Sequence, residues 1–191
     1  MNDNLAYQDW RREELIGGKV VMMSPASSNH NRIAGNIYRI FSNYLYGKKC
    51  EPFGDGEIVY LTDEDHFIPD FMVVCDADKV RTDGVYGAPD LVAEVLSPST
   101  MRNDMTHKKE VYARCGVREY WIIHPEDKSV EVYRTDGSEL SLHDIYAFHP
   151  DWMLAKMSEE DRAAAETHLH FKCGLFDDLD ISLEDIFYRT F

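Results

Sequence analysis

Glu94 stands in the middle of Leu91-Val92-Ala93-Glu94-Val95-Leu96, a run that is otherwise wholly apolar. A strand apolar at successive positions is an interior strand, covered on both faces. An ionised carboxylate buried there is strongly unfavourable unless a cation or hydrogen-bond donors compensate it. The candidates for compensation are a metal ion, a lysine, or a proton held by a raised pKa. Asp70 repeats the pattern inside Phe67-Ile68-Pro69-Asp70-Phe71-Met72-Val73-Val74. Two strand-borne acids in apolar sequence suggest a divalent-metal site built on a sheet.

The run bearing Glu94 is followed by a helical stretch in which Asp104, Lys108 and Tyr112 fall at i, i+4 and i+8, on one face. A helix returning across the sheet can aim that face at the strand ends and bring Lys108 to Asp70 and Glu94. Two carboxylates and an ammonium suit metal-assisted phosphodiester hydrolysis. Hard Mg2+, with Mn2+ as its substitute, prefers carboxylate, carbonyl and water oxygens. The lysine then orients water or stabilises developing negative charge. Plainer readings stand beside this one: Glu94 as a structural acid paired with a base, Asp70 as a strand-end acid held by backbone amides, and Lys108 as a solvated helix lysine. Glu57 and His30 are accessory candidates near the metal, each equally readable as a solvated residue. Ser97-Pro98-Ser99-Thr100 has no base at helix spacing to activate a serine and reads as a turn and helix start. Asp76-Ala77-Asp78 lacks the glycine and terminal glutamate of a calcium loop.

The surrounding elements follow from periodicity and punctuation. Glu13–Ile16 and Lys19–Met23 flank Gly17-Gly18 as a hairpin, and Ser24-Pro25 stops its second strand. Ser27, Ser28 or Asn29 caps a helix running to about Tyr46, with Ile33, Ile37, Ile40, Phe41, Tyr44 and Leu45 as its apolar stripe and Gly47 as its stop. Strands are expected at 50–53, 57–61, 67–74 and 90–96, with a loop and perhaps a short helix over 76–89. A helix over 103–115 ends at Gly116, and two further strands span 119–124 and 130–134. Residues 150–168 read as helical and acidic with Ser158 at a cap. The 179–191 tail alternates acidic and apolar residues.

The chain of 191 residues suits one sizeable core, and 44% hydrophobic content places it among ordinary globular domains. No apolar run approaches the roughly 20 residues of a membrane span. Met1-Asn2-Asp3-Asn4 has neither a basic nor an apolar signal region, so a cytoplasmic location is expected. Cys50, Cys75, Cys115 and Cys173 form no CxxC pair and are expected as reduced, packed thiols. The net charge of −15 opposes nucleic acid at long range. It is uneven, however. Residues 101–119 carry five bases against three acids, whereas 151–191 carry ten acids against four bases. A locally basic element in an acidic body permits a phosphate-facing site.

The ordered set Pro69-Asp70, Ala88-Pro89-Asp90-Leu91-Val92-Ala93-Glu94-Val95-Leu96-Ser97-Pro98-Ser99-Thr100, Asp104, Lys108, Tyr112, Gly116-Val117 and Glu119-Tyr120-Trp121 closely resembles the bacterial restriction endonuclease-like family once classed as a domain of unknown function, within the PD-(D/E)XK nuclease superfamily. The resemblance runs from about Leu15 to Arg134, with a weaker echo in 180–187. It implies that Asp70 and Glu94 bind metal, that Val95 offers it a backbone carbonyl, and that Lys108 is the catalytic lysine. The superfamily pattern places lysine two residues after the glutamate, where this chain has Leu96, and the family is taken to carry it on the following helix instead. The expected fold is α/β and restriction endonuclease-like: a central mixed β-sheet flanked by helices, with an N-terminal hairpin and a helical insertion (147–175) in a single domain spanning 1–191. The expected function is Mg2+-dependent endonucleolytic cleavage of nucleic acid, DNA foremost, by a homodimer with no membrane association. The alternatives are a non-catalytic nucleic-acid or protein-binding module on a nuclease fold, favoured by the acidity and by Leu96, and a metal-dependent hydrolase of smaller phosphate esters.

Overall fold

A strand that buries both faces needs a layer on each side, and the chain supplies two different ones. The computed structural model describes residues 12–191; the Met1–Asn4 segment read for export signals lies outside them. The elements run β1 (Glu13–Ile16), β2 (Lys19–Met22), α1 (Ser28–Leu45), β3 (Glu51–Gly54), β4 (Val59–Tyr60), β5 (His66–Phe67), β6 (Phe71–Val74), β7 (Val80–Arg81), β8 (Gly84–Tyr86) and β9 (Leu91–Val95). A continuous helical run follows: α2 (Met101–Asn103), a π-helical stretch (Asp104–Lys108) and α3 (Lys109–Cys115). The remainder is β10 (Glu119–His124), β11 (Ser129–Thr135), β12 (Leu140–Ala147), α4 (Asp151–Leu154), α5 (Glu159–Thr167), β13 (His170–Lys172), β14 (Asp180–Ser182) and α6 (Leu183–Ile186).

The main sheet has the order β12-β11-β10-β9-β6-β3 and is mixed, because β9 and β10 are parallel while its other pairs are antiparallel. A second sheet, β2-β1-β5-β4-β8-β7, gathers the short strands. Side-chain alternation divides β9 between two cores. Leu91, Ala93 and Val95 pack with Ile33, Ile37, Phe41 and Leu45 of α1. Val92 and Leu96 pack with Phe67 of β5, Val111 and Tyr112 of α3, and Tyr120 of β10. Glu94, two residues from each of those, shares the second face. All five residues of β9 are buried, as the apolar run requires.

The hairpin, the long helix and the 119–124 and 130–134 strands fall where expected. Ser27 Oγ accepts the His30 N–H at 3.2 Å and caps α1, and Ser158 Oγ accepts the Asp161 N–H at 3.0 Å and caps α5. The expected 67–74 strand is instead two strands in different sheets, broken at Ile68-Pro69-Asp70. Pro69 has no N–H to donate, so a central ladder cannot run through it. The 76–89 loop contains a 3-10 turn (Ala77–Lys79) and the β7–β8 hairpin. The acidic 150–168 helix is divided into α4 and α5, and β12 and the β13–β14 pair lie outside the expected elements. Cys50 and Cys75 are joined in a disulfide rather than held as thiols, while Cys115 and Cys173 are free. The cause is register: Glu51 pairs with Val74 in the β3–β6 ladder, which leaves Cys50 and Cys75 facing each other one step further along. Among the described residues no helix is long and apolar enough to cross a membrane.

The segment after α5 is fastened to the sheet through Glu119. Its buried carboxylate accepts Trp121 Nε1–H at 2.7 Å and the Gly174 N–H at 2.6 Å, and Arg134 Nε lies 3.3 Å away. A Cβ at residue 174 would stand 2.2 Å from Glu119 Oε2 and 2.7 Å from Arg134 Nε. Gly174→Ala is therefore expected to lower unfolding stability by about 2 kcal/mol or more through forced displacement of this junction. Gly35→Ala, in α1 with nothing within 4 Å of the added Cβ, is expected to be neutral or to stabilise by up to about 1 kcal/mol. Urea denaturation of both variants measures the contrast.

Candidate active site

Asp70 and Glu94 come together because β6 and β9 are paired neighbours. Phe71 faces Ala93 in that antiparallel ladder, so Asp70 lies one step beyond it, opposite Glu94. The Asp70 N–H points at Glu94 Oε2 from 3.4 Å, and the Val95 N–H donates to Asp70 Oδ2 at 2.7 Å. The break at Pro69 frees the Asp70 side chain from a continuous pleat. Two carboxylates thereby sit against each other on rigid backbone.

Lys108 arrives from the helical run. Its Nζ lies 3.2 Å from Glu94 Oε1, 3.2 Å from Asp104 Oδ1 and 2.8 Å from Glu14 Oε1. The side chain is only 2% exposed, so it is not the solvated lysine of the plain reading. Tyr112 OH donates to Glu94 Oε1 at 3.0 Å, and Tyr120 OH donates to the Asp104 carbonyl at 3.0 Å. The shared face of Asp104, Lys108 and Tyr112 is thus realised, even though residues 104–108 are wound as a π-helix, a form concentrated at functional sites. Glu14 is the residue that sequence reasoning missed. The available signal was period-two alternation in β1, where Glu14 and Ile16 are buried and Glu13 is exposed. Asp104 was seen only as a member of the helix face and not as a third acid beside Glu94.

The cluster is electrically unbalanced. Glu14, Glu94 and Asp104 are buried around one buried ammonium, and Asp70, which Lys108 was expected to reach as well, is buried beside Glu94 without an ion pair to it. Burial pushes the Glu94 pKa well above the usual carboxylate range; Lys108 opposes this, while Asp104, Asp70 and Glu14 add to it. Burial also raises the Asp104 pKa against the pull of Lys108. For Lys108, burial lowers the pKa, but Glu94, Asp104 and Glu14 outweigh it and hold the group well above an ordinary lysine. His30, at the start of α1, places Nε2 3.1 Å from Asp70 Oδ2. Its pKa is raised because the bond to Asp70 and the charges of Asp70 and Asp55 outweigh burial.

These groups line a cleft of about 760 Å3 with Asp55, Asp70, Glu94, Asp104, Lys108 and His30 on its wall. Arg12 and Ser97–Thr100 also reach it, and Arg12 is engaged with Asp55 at 2.7 Å. Ser97 Oγ accepts the Thr100 N–H at 3.3 Å, the turn role expected of that segment. Glu57 lines a separate groove with Tyr38 and Phe53 and does not join the acids. Asp76 accepts the Asp78 N–H in its local 3-10 turn.

The donor set fits a hard divalent cation. Among the described residues no donor is directed at Asp70 Oδ1, and Glu94 Oε2 receives only the long Asp70 N–H contact. Two carboxylate oxygens at a cleft in surplus negative charge are what Mg2+ uses when water and substrate complete its shell. Among the described residues no group of three His, Cys, Asp or Glu side chains is arranged to hold a metal without such additions.

The fold is shared with a solved protein. A crystal structure titled as a putative nuclease belonging to DUF820, from Anabaena variabilis ATCC 29413, superposes with a TM-score of 0.68 over 92% of this chain and 89% of that one, at 18% identity. The fold is restriction endonuclease-like. The sequence model of the Uma2 family, described as "Putative restriction endonuclease", matches residues 3–165, and the chain belongs to that family. Two relatives from Synechocystis sp. (strain ATCC 27184 / PCC 6803 / Kazusa) are similar across most of their length. The uncharacterized protein slr1290 is 26% identical over 162 residues, covering 83% of this chain and 80% of its own. The uncharacterized protein sll1609 is 27% identical over 158 residues, covering 81% and 83%.

A carboxylate whose folded pKa is raised binds its proton more tightly when folded, so its ionisation weakens the fold as pH rises above the unfolded value near 4.5. Glu94→Gln removes that effect and leaves Lys108 paired with Glu14 and Asp104. At neutral pH in chelated buffer the variant is expected to be more stable than wild type by about 1–3 kcal/mol. The difference should vanish below pH 4.5 and shrink on adding Mg2+, which stabilises only the wild type. Thermal melts across pH, with and without Mg2+, measure both trends.

Proposed function

We propose that the protein is a Mg2+-dependent endonuclease that hydrolyses phosphodiester bonds of nucleic acid, with DNA as the substrate, in which Asp70 and Glu94 hold the metal and Lys108 is the catalytic lysine. The observation that carries this reading is the pairing of Asp70 and Glu94 across β6 and β9, each with an oxygen left over at the cleft, beside a buried ammonium. Membership of the Uma2 family supports the reaction class.

Each residue's part follows from its surroundings. Asp70 is oriented by the Val95 N–H and His30, which fix Oδ2 and leave Oδ1 to ligate. Glu94 is oriented by Lys108 and Tyr112 at Oε1, which leaves Oε2. Bound Mg2+ supplies the Lewis acidity that activates water and offsets charge at the phosphorus. Lys108 stays protonated between three carboxylates, so it is not a general base; its ammonium orients the attacking water and stabilises the negative charge that develops on phosphate oxygens. Substitution of the superfamily's lysine position by Leu96 is then of no consequence, because the ammonium reaches Glu94 from the helix instead. A homodimer placing two such sites on two strands, in the cytoplasm, completes the reading.

Isothermal titration of Mg2+ or Mn2+ is expected to give stoichiometric binding to wild type that is lost in Asp70→Ala and Glu94→Ala. Nicking of supercoiled plasmid in Mg2+ is expected to be abolished in both and reduced about 100- to 1000-fold in Lys108→Ala. A folded wild type that binds no metal, even with DNA present, would instead favour the non-catalytic binding module, to which the −15 charge also points. Hydrolysis of a small chromogenic phosphodiester without cleavage of DNA would move the assignment to smaller esters. Sedimentation velocity tests the dimer.

A further inference from the structure

Lys108 is reached by a carboxylate that belongs to neither the main sheet nor its own helix. Glu14 comes from β1 in the second sheet, and its Oε1 makes the shortest of the three ion pairs to Nζ, at 2.8 Å. The same oxygen accepts the Ile68 N–H at 2.8 Å, two residues before Asp70. Glu14 is itself 3% exposed and therefore not a surface partner of convenience. Asp104, one turn away on the same helical run, reaches Nζ only at 3.2 Å, without a well-aligned hydrogen bond to Oδ1.

We propose that Glu14 is a positioning residue for the reaction: it anchors the Lys108 ammonium by the shortest of its three ion pairs, from a different sheet than Glu94, so that Lys108 borders Glu94 Oε1 without closing over Oε2. The inference rests on the nuclease reading above, since it gives Lys108 a place and not a new chemistry. Without Glu14, a buried ammonium facing Glu94 and Asp104 moves onto the stronger of the two remaining anions. The β1–β2 hairpin thereby becomes part of the active site, and the Glu14–Ile68 bond ties the position of Lys108 to the segment that carries Asp70. Tyr112, already bound to Glu94 Oε1, cannot replace this hold because it does not contact Nζ.

The test uses Glu14→Gln, which keeps an oxygen for the Ile68 N–H and removes the charge that holds Nζ. Glu14→Ala serves only as a comparison for folding. In protein labelled with 15N-lysine, the protected Lys108 ammonium resonance, assigned by its loss in Lys108→Met, is expected to be displaced or broadened in Glu14→Gln while the melting transition stays cooperative. Plasmid cleavage in Mg2+ is expected to fall about 10- to 100-fold in kcat with KM unchanged. In the Lys108→Met background, adding Glu14→Gln is expected to change kcat by less than about twofold, the mark of two residues acting as one unit. An unshifted ammonium resonance, or an equal loss of kcat in both backgrounds, overturns the proposal while leaving the nuclease reading in place. A wild type that cleaves nothing, with the resonance still displaced by Glu14→Gln, overturns the nuclease reading instead and leaves Glu14 as the anchor of Lys108.

Discussion

The structure turns on a surplus of buried negative charge. Three carboxylates, Glu14, Glu94 and Asp104, converge on one ammonium, and a fourth, Asp70, is buried beside Glu94, in a region closed by two hydrophobic cores. A protein selected only for stability would neutralise such a cluster or replace it with well-packed apolar side chains, since buried ion pairs rarely repay their desolvation. Here the imbalance is retained, and the elements around it are arranged to tolerate it. Tyr112 and Lys108 share Glu94 Oε1, the Val95 amide takes Asp70 Oδ2, and the Ile68 amide takes Glu14 Oε1. What is left over is concentrated on the oxygens nearest the cleft, which is where a cation is useful.

That arrangement depends on backbone irregularity at two places. The Pro69 break lets β5 leave for the second sheet and delivers Asp70 at the start of β6, with its own N–H directed at Glu94 and not into a ladder. The π-helical stretch at Asp104–Lys108 widens the helix just where Lys108 must reach Glu14 and Glu94 on two different strands while pairing with Asp104 of its own stretch. Both departures cost local regularity, and both lie within a few ångströms of the same carboxylates. A regular strand over 67–74 or an unbroken α-helix over 103–115 would have been simpler to build and would have placed these side chains differently.

Glu94, Asp70 and Lys108 were legible in the sequence because a charge inside an apolar run is conspicuous and because helical spacing put Lys108 on the face of Asp104 and Tyr112. Glu14 was not. In Glu13-Glu14 the two acids look alike, and only tertiary packing, which buries the Ile16 face of β1, tells them apart. The Cys50–Cys75 disulfide was hidden for a related reason: the pairing follows from the register between β3 and β6, and register is a property of the assembled sheet. The short strands β7, β8, β13 and β14 are two or three residues long, too brief to express an alternation. Glu57, left open in the sequence between an accessory acid and a solvated residue, precedes β4 and lines a groove with Tyr38 and Phe53, a direction the local sequence does not encode.

The −15 net charge and the acidic cleft have a common consequence for how substrate and cation must bind. The cleft wall presents Asp55, Asp70, Glu94, Asp104 and Glu126 against Arg12, Lys108 and His30, and Arg12 is already committed to Asp55. Acids outnumber bases on this wall, so the approach of a phosphate is opposed until the local charge is reversed. In the proposed site, a divalent ion at Asp70 and Glu94 would add two positive charges beside these carboxylates, with Lys108 against Glu94. Cation and phosphate binding are therefore coupled by electrostatics alone: each makes the site more hospitable to the other, and linkage requires the coupling to be equal in both directions. On this reasoning the acidity of the chain, which favours the binding-module alternative, is also compatible with a phosphodiester substrate once a cation is bound. Under the proposed reading, that acidity would make cation occupancy a condition for binding a phosphodiester.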